Sequence, residues 1–429
     1  MPAPPPTNHH PASDAKERRA HGGETLTFLL FPLIVASGVL AIYWSVAIGH
    51  VVATRLKLPT ARSALRFPEA SDADVARAPS VCVIVPAHNE EAIISTVTRS
   101  LAAQDYPYWR VVFALDRCTD CTRARIEEAI GGDTRFEIIE ISYCPPDWAG
   151  KVNAMCRALE GAASVAGADI LLFTDADTQL DPACLRATVA LMQNRALDML
   201  SLLSTLTTRA WFEAVVQPAA ALELIRQYPV LRANRAHERR AFLNGQFIMA
   251  YRAAYDRIGG HESVKDALFE DVALARSAER GGLRVGVFLA DGMLTCRMYP
   301  TYQSFQRGWN RIFGDAANRK PGRLRTSAWR LRALAVFLPL AALLSVVLGA
   351  ANDANRLSQT AIITGAAGLA AFTGALSLVY RIGRTPLWAL PAYPVGAWMT
   401  SNLLSRAARG LEAGERVVWG GREYERPSR

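Results

Sequence analysis

From Thr25 to Ala53 the chain carries no formally charged side chain, and His50 is its one titratable group apart from Tyr43. A stretch of this length exceeds the roughly 20 apolar residues that take a helix across a bilayer. It is too long for a signal-peptide core, and no small-residue cleavage site stands out, so it predicts a retained signal anchor. Two further apolar runs, Ala333 to Ala351 and Thr360 to Tyr380, are parted by a short polar loop holding Asp353 and Arg356 and predict a helical hairpin. A last run, Leu387 to Leu404, contains Pro391 and Pro394, which would interrupt helix hydrogen bonds; it either spans or re-enters.

Basic residues set the expected topology. Arg55, Lys57, Arg62 and Arg66 follow the first run, and Arg319, Lys320, Arg323, Arg325, Arg330 and Arg332 precede the second. Positive flanks mark the cytosolic side, so a multi-pass protein of the cell membrane with a cytosolic middle domain is expected. The Arg-rich residues after Leu404 favour return of the last run to that side. The expected organisation is a disordered tail over 1–24, the anchor over 25–53, a linker over 54–79 and a catalytic domain over 80–298. An amphipathic interfacial segment over 299–332, a membrane region over 333–405 and a basic cytosolic tail over 406–429 follow.

The formal charge of +9 lies largely beside apolar segments, where it orients the chain and attracts anionic lipid, so no nucleic-acid partner is expected. The seven cysteines all fall in the middle domain and are expected to be reduced thiols. Cys118 and Cys121 form a C-x-x-C with no second pair and no nearby His, which leaves zinc without a ligand set.

In the middle domain, β-branched runs alternate with helical spacing. Val81 to Val85, Val111 to Leu115, Glu137 to Ile141 and Ile170 to Thr174 read as strands; Glu91 to Gln104 and Arg123 to Ile130 read as helices. The alternation predicts an α/β fold with a mainly parallel, Rossmann-like sheet covered on both faces. Ligands of such sheets sit beyond the carboxyl ends of the strands.

Those ends carry the polar groups. Pro86 to Glu90 follow the first strand, and Asp116 and Asp120 the second, where they either cap the next helix or meet a ligand. Asp175 and Asp177 directly follow the fourth. Two carboxylates at alternate positions offer hard oxygen ligands to Mg²⁺ or Mn²⁺, completed by phosphate and water. Lys151 opens a predicted helix and suits a phosphate. Glu270 and Asp271 open another, where they complement its dipole or supply the general base that a hydroxyl acceptor needs. Tyr299, Tyr302, Phe305, Trp309, Ile312 and Phe313 recur at helical spacing and read chiefly as packing or interfacial anchors. Arg307, Trp309 and Arg311 are set apart as groups that can close over a departing diphosphate.

Taken in order, PAHNE at 86–90, D-x-x-x-D at 116–120, WAGK at 148–151, DAD at 175–177, NGQF at 244–247, GGH at 259–261 and EDVALA at 270–275 resemble family 2 glycosyltransferases over roughly residues 80 to 315. The resemblance implies a GT-A fold, a nucleoside diphosphate sugar donor (UDP-hexose), a divalent metal, and inversion by single displacement. Glu90 and Asp116 match nucleoside-holding positions, with Pro86 and Asp120 beside them. Lys151 matches the diphosphate side, Asp175 and Asp177 the donor and metal, and Asp271 the base, with Glu270 next to it. Gly245, Gln246, Gly259, Gly260 and His261 fall on the acceptor side. One N-terminal anchor with a C-terminal apolar cluster looks like the lipid-directed branch, which includes bacterial carotenoid, hopanoid-associated and ceramide glycosyltransferases, and implies a lipid acceptor. Gln303 to Trp309 departs from the Q-x-x-R-W signature of processive synthases, and Arg117 and Cys118 stand where small or hydroxyl residues are common. The rival expectations are a processive polysaccharide synthase, for which two or three C-terminal spans are few, and a noncatalytic sugar-nucleotide-binding scaffold.

Overall fold

The computed structural model describes residues 11–67, 78–235, 242–267, 269–352, 355–415, 417–419 and 422–424. The first ten residues of the expected tail, much of the expected linker and the last five residues of the chain lie outside them.

The first strand, in the interior of the sheet, explains why the sheet forms. Every residue of β1 (Val81–Ala87) is buried. Val81, Val83 and Val85 point into one hydrophobic core while Cys82 and Ile84 point into another on the opposite face. This is the two-residue period of a strand covered on both sides. Around it, β2 (Trp109–Asp116), β3 (Phe136–Ile141), β4 (Ile170–Thr174), β6 (Met199–Leu203), β8 (Phe247–Tyr251) and β9 (Val285–Leu289) complete a seven-stranded sheet of order β3-β2-β1-β4-β8-β6-β9. The first four pair in parallel, as the alternation predicts. However, β8 is antiparallel to both β4 and β6, so the sheet is mixed. The strands β6, β8 and β9 give no alternating pattern; they are short and flanked by residues whose motifs, not periodicity, draw attention.

Helices α2 (Ile94–Ala102), α3 (Thr122–Ile130), α4 (Gly150–Gly161) and α5 (Cys184–Asn194) connect or cover this sheet. In α2 the buried Ile94, Val97, Thr98 and Leu101 form a stripe at i, i+3, i+4 and i+7. A small second sheet joins β5 (Thr178–Leu180), β7 (Thr205–Leu206) and β10 (Leu294–Cys296), with β10 between the other two.

At the N-terminus, α1 runs from Pro11 to Lys57, which extends helix into the expected tail. The Ala, Glu, Lys and Arg residues of that segment are good helix formers and let the apolar helix propagate backwards. Towards the C-terminus, α6 (Gln217–Gln227), α7 (Glu270–Arg280) and α8 (Tyr302–Ala316) are followed by α9 (Pro321–Arg332), α10 (Leu338–Ala351), α11 (Arg356–Ile382) and α12 (Tyr393–Glu412). Among the described residues three helices are long and apolar enough to cross a membrane: Phe28–Arg66, Pro321–Ala351 and Arg356–Ile382. Glycines let them approach closely. A Cβ at Gly368 would lie 2.9 Å from the Ser37 carbonyl oxygen, and one at Gly365 would lie 2.6 Å from that of Ala342.

Two open alternatives narrow here. Of packing and interfacial anchoring, the aromatic stripe of α8 shows packing: Phe305, Trp309 and Phe313 are buried with Leu403, Leu404, Ala408 and Leu411 of α12. The run from Leu387 is not among the candidate spans. It begins as a 3-10 turn, Leu387–Ala392, and continues into α12, with Pro394 in the first turn. There the missing N–H interrupts no bond, so Pro394 starts the helix instead of breaking it, while Pro391 lies within the 3-10 turn. The helix continues to Glu412, past the expected limit at 405.

Candidate active site

The carboxylates that matter stand where strands end and helices begin. Asp175 and Asp177 follow β4, whose last residue, Thr174, donates its hydroxyl to the Gln246 carbonyl (2.8 Å). The Thr178 hydroxyl donates to the Asp175 carbonyl (2.7 Å), tightening that turn. Behind it, β5 pairs with β10, and Arg297 N–H donates to the Asp177 carbonyl (3.2 Å). Glu270 and Asp271 occupy the first turn of α7.

Lys151, in the first turn of α4, joins these groups. Its Nζ lies 2.7 Å from Asp175 Oδ1 and 2.6 Å from Glu270 Oε1. Burial disfavours the ammonium charge, but the two carboxylates outweigh it and raise its pKa. Asp271 accepts N–H bonds from Gly245 (3.0 Å) and Val272 (2.7 Å). Gly245 permits that approach: a Cβ there would sit 3.3 Å from both Asp271 Oδ2 and Lys151 Nζ.

The site holds more negative charge than it neutralises. Burial, reinforced by Glu270, pushes Asp271 up to about 7. Burial and neighbouring Asp175 do the same to Asp177, and burial and Asp175 to Glu90, each to about 7. Asp175 is raised by its burial despite Lys151, whereas Lys151 overcomes burial at Glu270 and holds it low. One oxygen of Asp177 is buried with no hydrogen-bond partner. A buried carboxylate oxygen of this kind, beside a second carboxylate, fits a divalent cation. Among the described residues no three His, Cys, Asp or Glu side chains form a metal cage. Asp175 and Asp177 would therefore hold the cation with oxygens from a ligand and water.

Lys151, Asp175, Asp177, Gly245, Gln246, Glu270, Asp271, Trp309 and Arg311 all line one cavity of about 1400 Å³. Arg311 lies close enough to lower the pKa of Asp175. Glu90, Asp116 and Asp120 stand at the adjoining strand ends, outside that lining. Asp116 is buried and paired with Arg117 (2.6 and 2.8 Å). A Cβ on Gly150 would meet its Oδ2 at 3.0 Å, so the glycine of WAGK keeps that approach open. Asp120 accepts from the Thr122 N–H (3.0 Å) and hydroxyl (2.5 Å), which is the helix-capping alternative. Pro86 is buried inside β1.

Other expected residues are not brought to the cavity. Arg307 is exposed and lines no part of it, because Arg311 sits one turn farther along α8. Gly259, Gly260 and His261 lie beneath the carboxylates. His261 is buried against Phe173, its Nδ1 2.9 Å from the Tyr255 hydroxyl, and burial lowers its pKa to about 4. A Cβ on Gly260 would lie 2.4 Å from the Tyr255 ring. This motif braces the floor of the site.

The sequence reading missed Cys296, whose thiol contacts Asp177 and accepts from Gln246 Nε2 (3.0 Å). It also missed Ser204, which donates to Gln246 Oε1. Cys296 arrives on β10 of the small second sheet and Ser204 in the one-residue link between β6 and β7, and neither place leaves a periodic signal. The Glu223 carboxylate is likewise buried, and it binds Arg226 and Arg330 (each 2.7 Å at closest), fastening α6 to α9.

The site thus combines a mixed sheet, paired carboxylates after β4 and a lysine-bridged acidic helix opening beside them. Residues 78–307, more than half of the chain, match "Glycosyltransferase like family 2", and the chain belongs to that family. A stretch of 117 residues is 34% identical to "N-acetylglucosaminyltransferase" of Neorhizobium galegae, covering 26% of this chain and 25% of that protein, about a quarter of the relative's length. Among solved structures, the mannosyltransferase PcManGT from Pyrobaculum calidifontis, in complex with GDP-Man and Mn²⁺, is 19% identical. It has a TM-score of 0.42 and covers 87% of this chain and 98% of its own. S. aureus TarS 1-349 in complex with UDP-GlcNAc is 16% identical, with a TM-score of 0.39 and coverage of 81% and 96%. Glucosyl-3-phosphoglycerate synthase from Mycobacterium tuberculosis, in complex with Mn²⁺, UDP and glucosyl-3-phosphoglycerate, is 18% identical, with a TM-score of 0.40 and coverage of 59% and 85%.

Proposed function

We propose that this protein is an inverting transferase that moves one hexose from UDP-hexose to the hydroxyl of a membrane lipid of carotenoid, hopanoid or sphingoid type, at the cytosolic face of the cell membrane. One observation carries the reading. The cavity that exposes Asp177, Lys151 and Asp271 is also walled by residues of the apolar helices α1 and α11, among them Trp44 and Val379.

In the proposed reaction the acceptor oxygen attacks the anomeric carbon from the face opposite the diphosphate. The new C–O bond forms as the sugar–phosphate bond breaks, and the electron pair of that bond stays on the diphosphate. Asp271 takes the hydroxyl proton; its pKa near 7 suits a base working at neutral pH. The N–H groups of Gly245 and Val272 fix the carboxylate for that task. Lys151 and Arg311 lie beside the diphosphate position, where negative charge grows. A bound Mg²⁺ or Mn²⁺ held by Asp175 and Asp177 would neutralise diphosphate charge as the sugar departs. Glu90 and Asp116, at neighbouring strand ends, are assigned to the nucleoside.

Chelation tests the metal requirement. Release of UDP from UDP-hexose, followed in phosphatidylcholine vesicles with a membrane-lipid extract, should stop in EDTA and return with added Mn²⁺ or Mg²⁺. Equal release with and without EDTA would contradict the carboxylate assignment.

A further inference from the structure

The cavity does not end at the carboxylates. Tyr43, Trp44, Ala47, Val51, Thr54 and Arg55 of α1 line it, and their spacing puts them on one helix face. From Tyr43 to Arg55 that face rises about 18 Å, comparable with the ~15 Å depth of one leaflet's hydrocarbon. Ala375, Val379 and Ile382, at i, i+4 and i+7 on α11, supply a second wall. Leu334 and Ala335 supply a third from the π-helical turn Ala333–Phe337, which joins α9 to α10. Trp44 fixes this corner: its indole N–H donates to the Leu334 carbonyl (3.2 Å), and its ring packs edge-on against Phe372 (5.2 Å).

This arm also holds an unused polar group. Tyr393 lines the cavity and is only 1% exposed, and its hydroxyl is buried without a hydrogen-bond partner. The ring is held edge-on by Phe372 and Tyr380 (6.1 and 6.3 Å), so the hydroxyl is fixed in place. A buried hydroxyl without a partner forfeits the hydrogen bond it had to water, and a ligand atom would recover it. The whole cavity, about 1400 Å³, is also larger than the ~300–1,000 Å³ of ordinary ligand pockets. It has room for a second molecule beside a nucleotide sugar.

We infer that this arm is a sleeve for the apolar body of the acceptor, which lies lengthwise along α1 and hydrogen-bonds the Tyr393 hydroxyl through a polar group remote from its nucleophilic oxygen. The inference rests on the lipid-acceptor reading above and adds a location and a chemical requirement. The N-terminal helix is then a wall of the acceptor site as well as an anchor. The preferred acceptor is elongated and polar at two separated points.

Photolabelling tests it on the full-length protein. The probe is a long-chain diol with a mid-chain diazirine, in phosphatidylcholine vesicles, with a membrane-lipid extract as competitor and glycosylated lipid measured in parallel. Label should fall on 43–55 and 375–382 and be displaced by the extract. Val379→Trp, which fills the sleeve, should weaken labelling about tenfold, equivalent to ~1.4 kcal/mol. Ile363→Trp, on an exposed face outside the cavity, should not. The corresponding mono-alcohol should label wild type less than the diol, and Tyr393→Phe should remove that difference. Glycosylated lipid with label confined to outward residues such as Ile42 and Ile363 would overturn the sleeve while leaving the function intact. Sleeve label with no glycosylated lipid would overturn the acceptor assignment through the reading beneath it. Equal labelling by diol and mono-alcohol in wild type would overturn the role of Tyr393.

Discussion

Asp271 is raised towards neutrality by burial and by Glu270, and in its proposed role as general base this sets the pH behaviour expected of the enzyme. A base must be ionised, so turnover should climb as pH rises through about 7 and level above it, as an initial-rate profile would show. Asp271→Asn should lower turnover by roughly 100-fold or more and abolish that limb, with UDP binding retained; normal turnover in the variant would remove Asp271 from the mechanism. Asp177 permits a separate check on stability. Its folded pKa of about 7 lies above the ordinary 3.8, so its contribution is present below about 4 and is lost as pH rises through 7. Metal-free wild type should therefore lose thermal stability relative to Asp177→Asn between those limits, and Mn²⁺ at pH 7 should restore it to wild type alone. A pH-independent difference between the two proteins would contradict this. The acidic positions were legible in the sequence because each follows a strand or opens a helix. Arg307 was misread for a geometric reason: it and Arg311 share a face of α8 about 6 Å apart along the axis, and spacing alone does not reveal which one reaches Asp175.

Elements place these groups through close approaches that only glycine permits. Gly260 adopts φ of +49°, and its missing Cβ leaves room for the Tyr255 ring. Gly260→Ala should destabilise the protein by about 1–3 kcal/mol from backbone strain alone, measurable as a lower unfolding temperature, with further loss from the displaced ring. An unchanged unfolding temperature would show that the floor of the site tolerates the methyl. The parallel strands β1, β2 and β4 were readable because burial on both faces leaves continuous apolar runs, and β3, half-buried at the sheet edge, through its β-branched residues. β6, β8 and β9 are also buried apolar runs, each of five residues, and a run that short does not by itself separate strand from buried helix. The prolines near Leu387 misled for a similar reason, since their cost depends on helix phase, and Pro394 falls in the first turn of α12.

At the scale of the whole molecule, the catalytic sheet and the apolar helices share one cavity. The C-terminal end of α1 leads to Arg62, which bonds Asp181 and Asp291 of the catalytic domain (3.2 and 3.0 Å). Arg384, just beyond α11, bonds the Asp291 carbonyl (2.7 Å). Both helices thus approach the catalytic domain at the same end. Trp329 and Trp398 are exposed and both lie against Arg332 (5.2 and 5.1 Å), just before the apolar run from Ala333, as aromatic and basic residues do at a membrane boundary. The three long helices were visible as uncharged runs. Their joint wall around the reaction site was not, because it depends on how their faces turn.

The most direct test of lipid glycosylation is mass spectrometry of the product. The full-length protein in phosphatidylcholine vesicles would be given Mn²⁺, a panel of nucleoside diphosphate hexoses and a total membrane-lipid extract. One new lipid species heavier by a single hexose is expected, formed with UDP-hexose and absent with Asp271→Asn. A ladder of repeated hexose additions, or UDP binding with no lipid gaining mass, would contradict it.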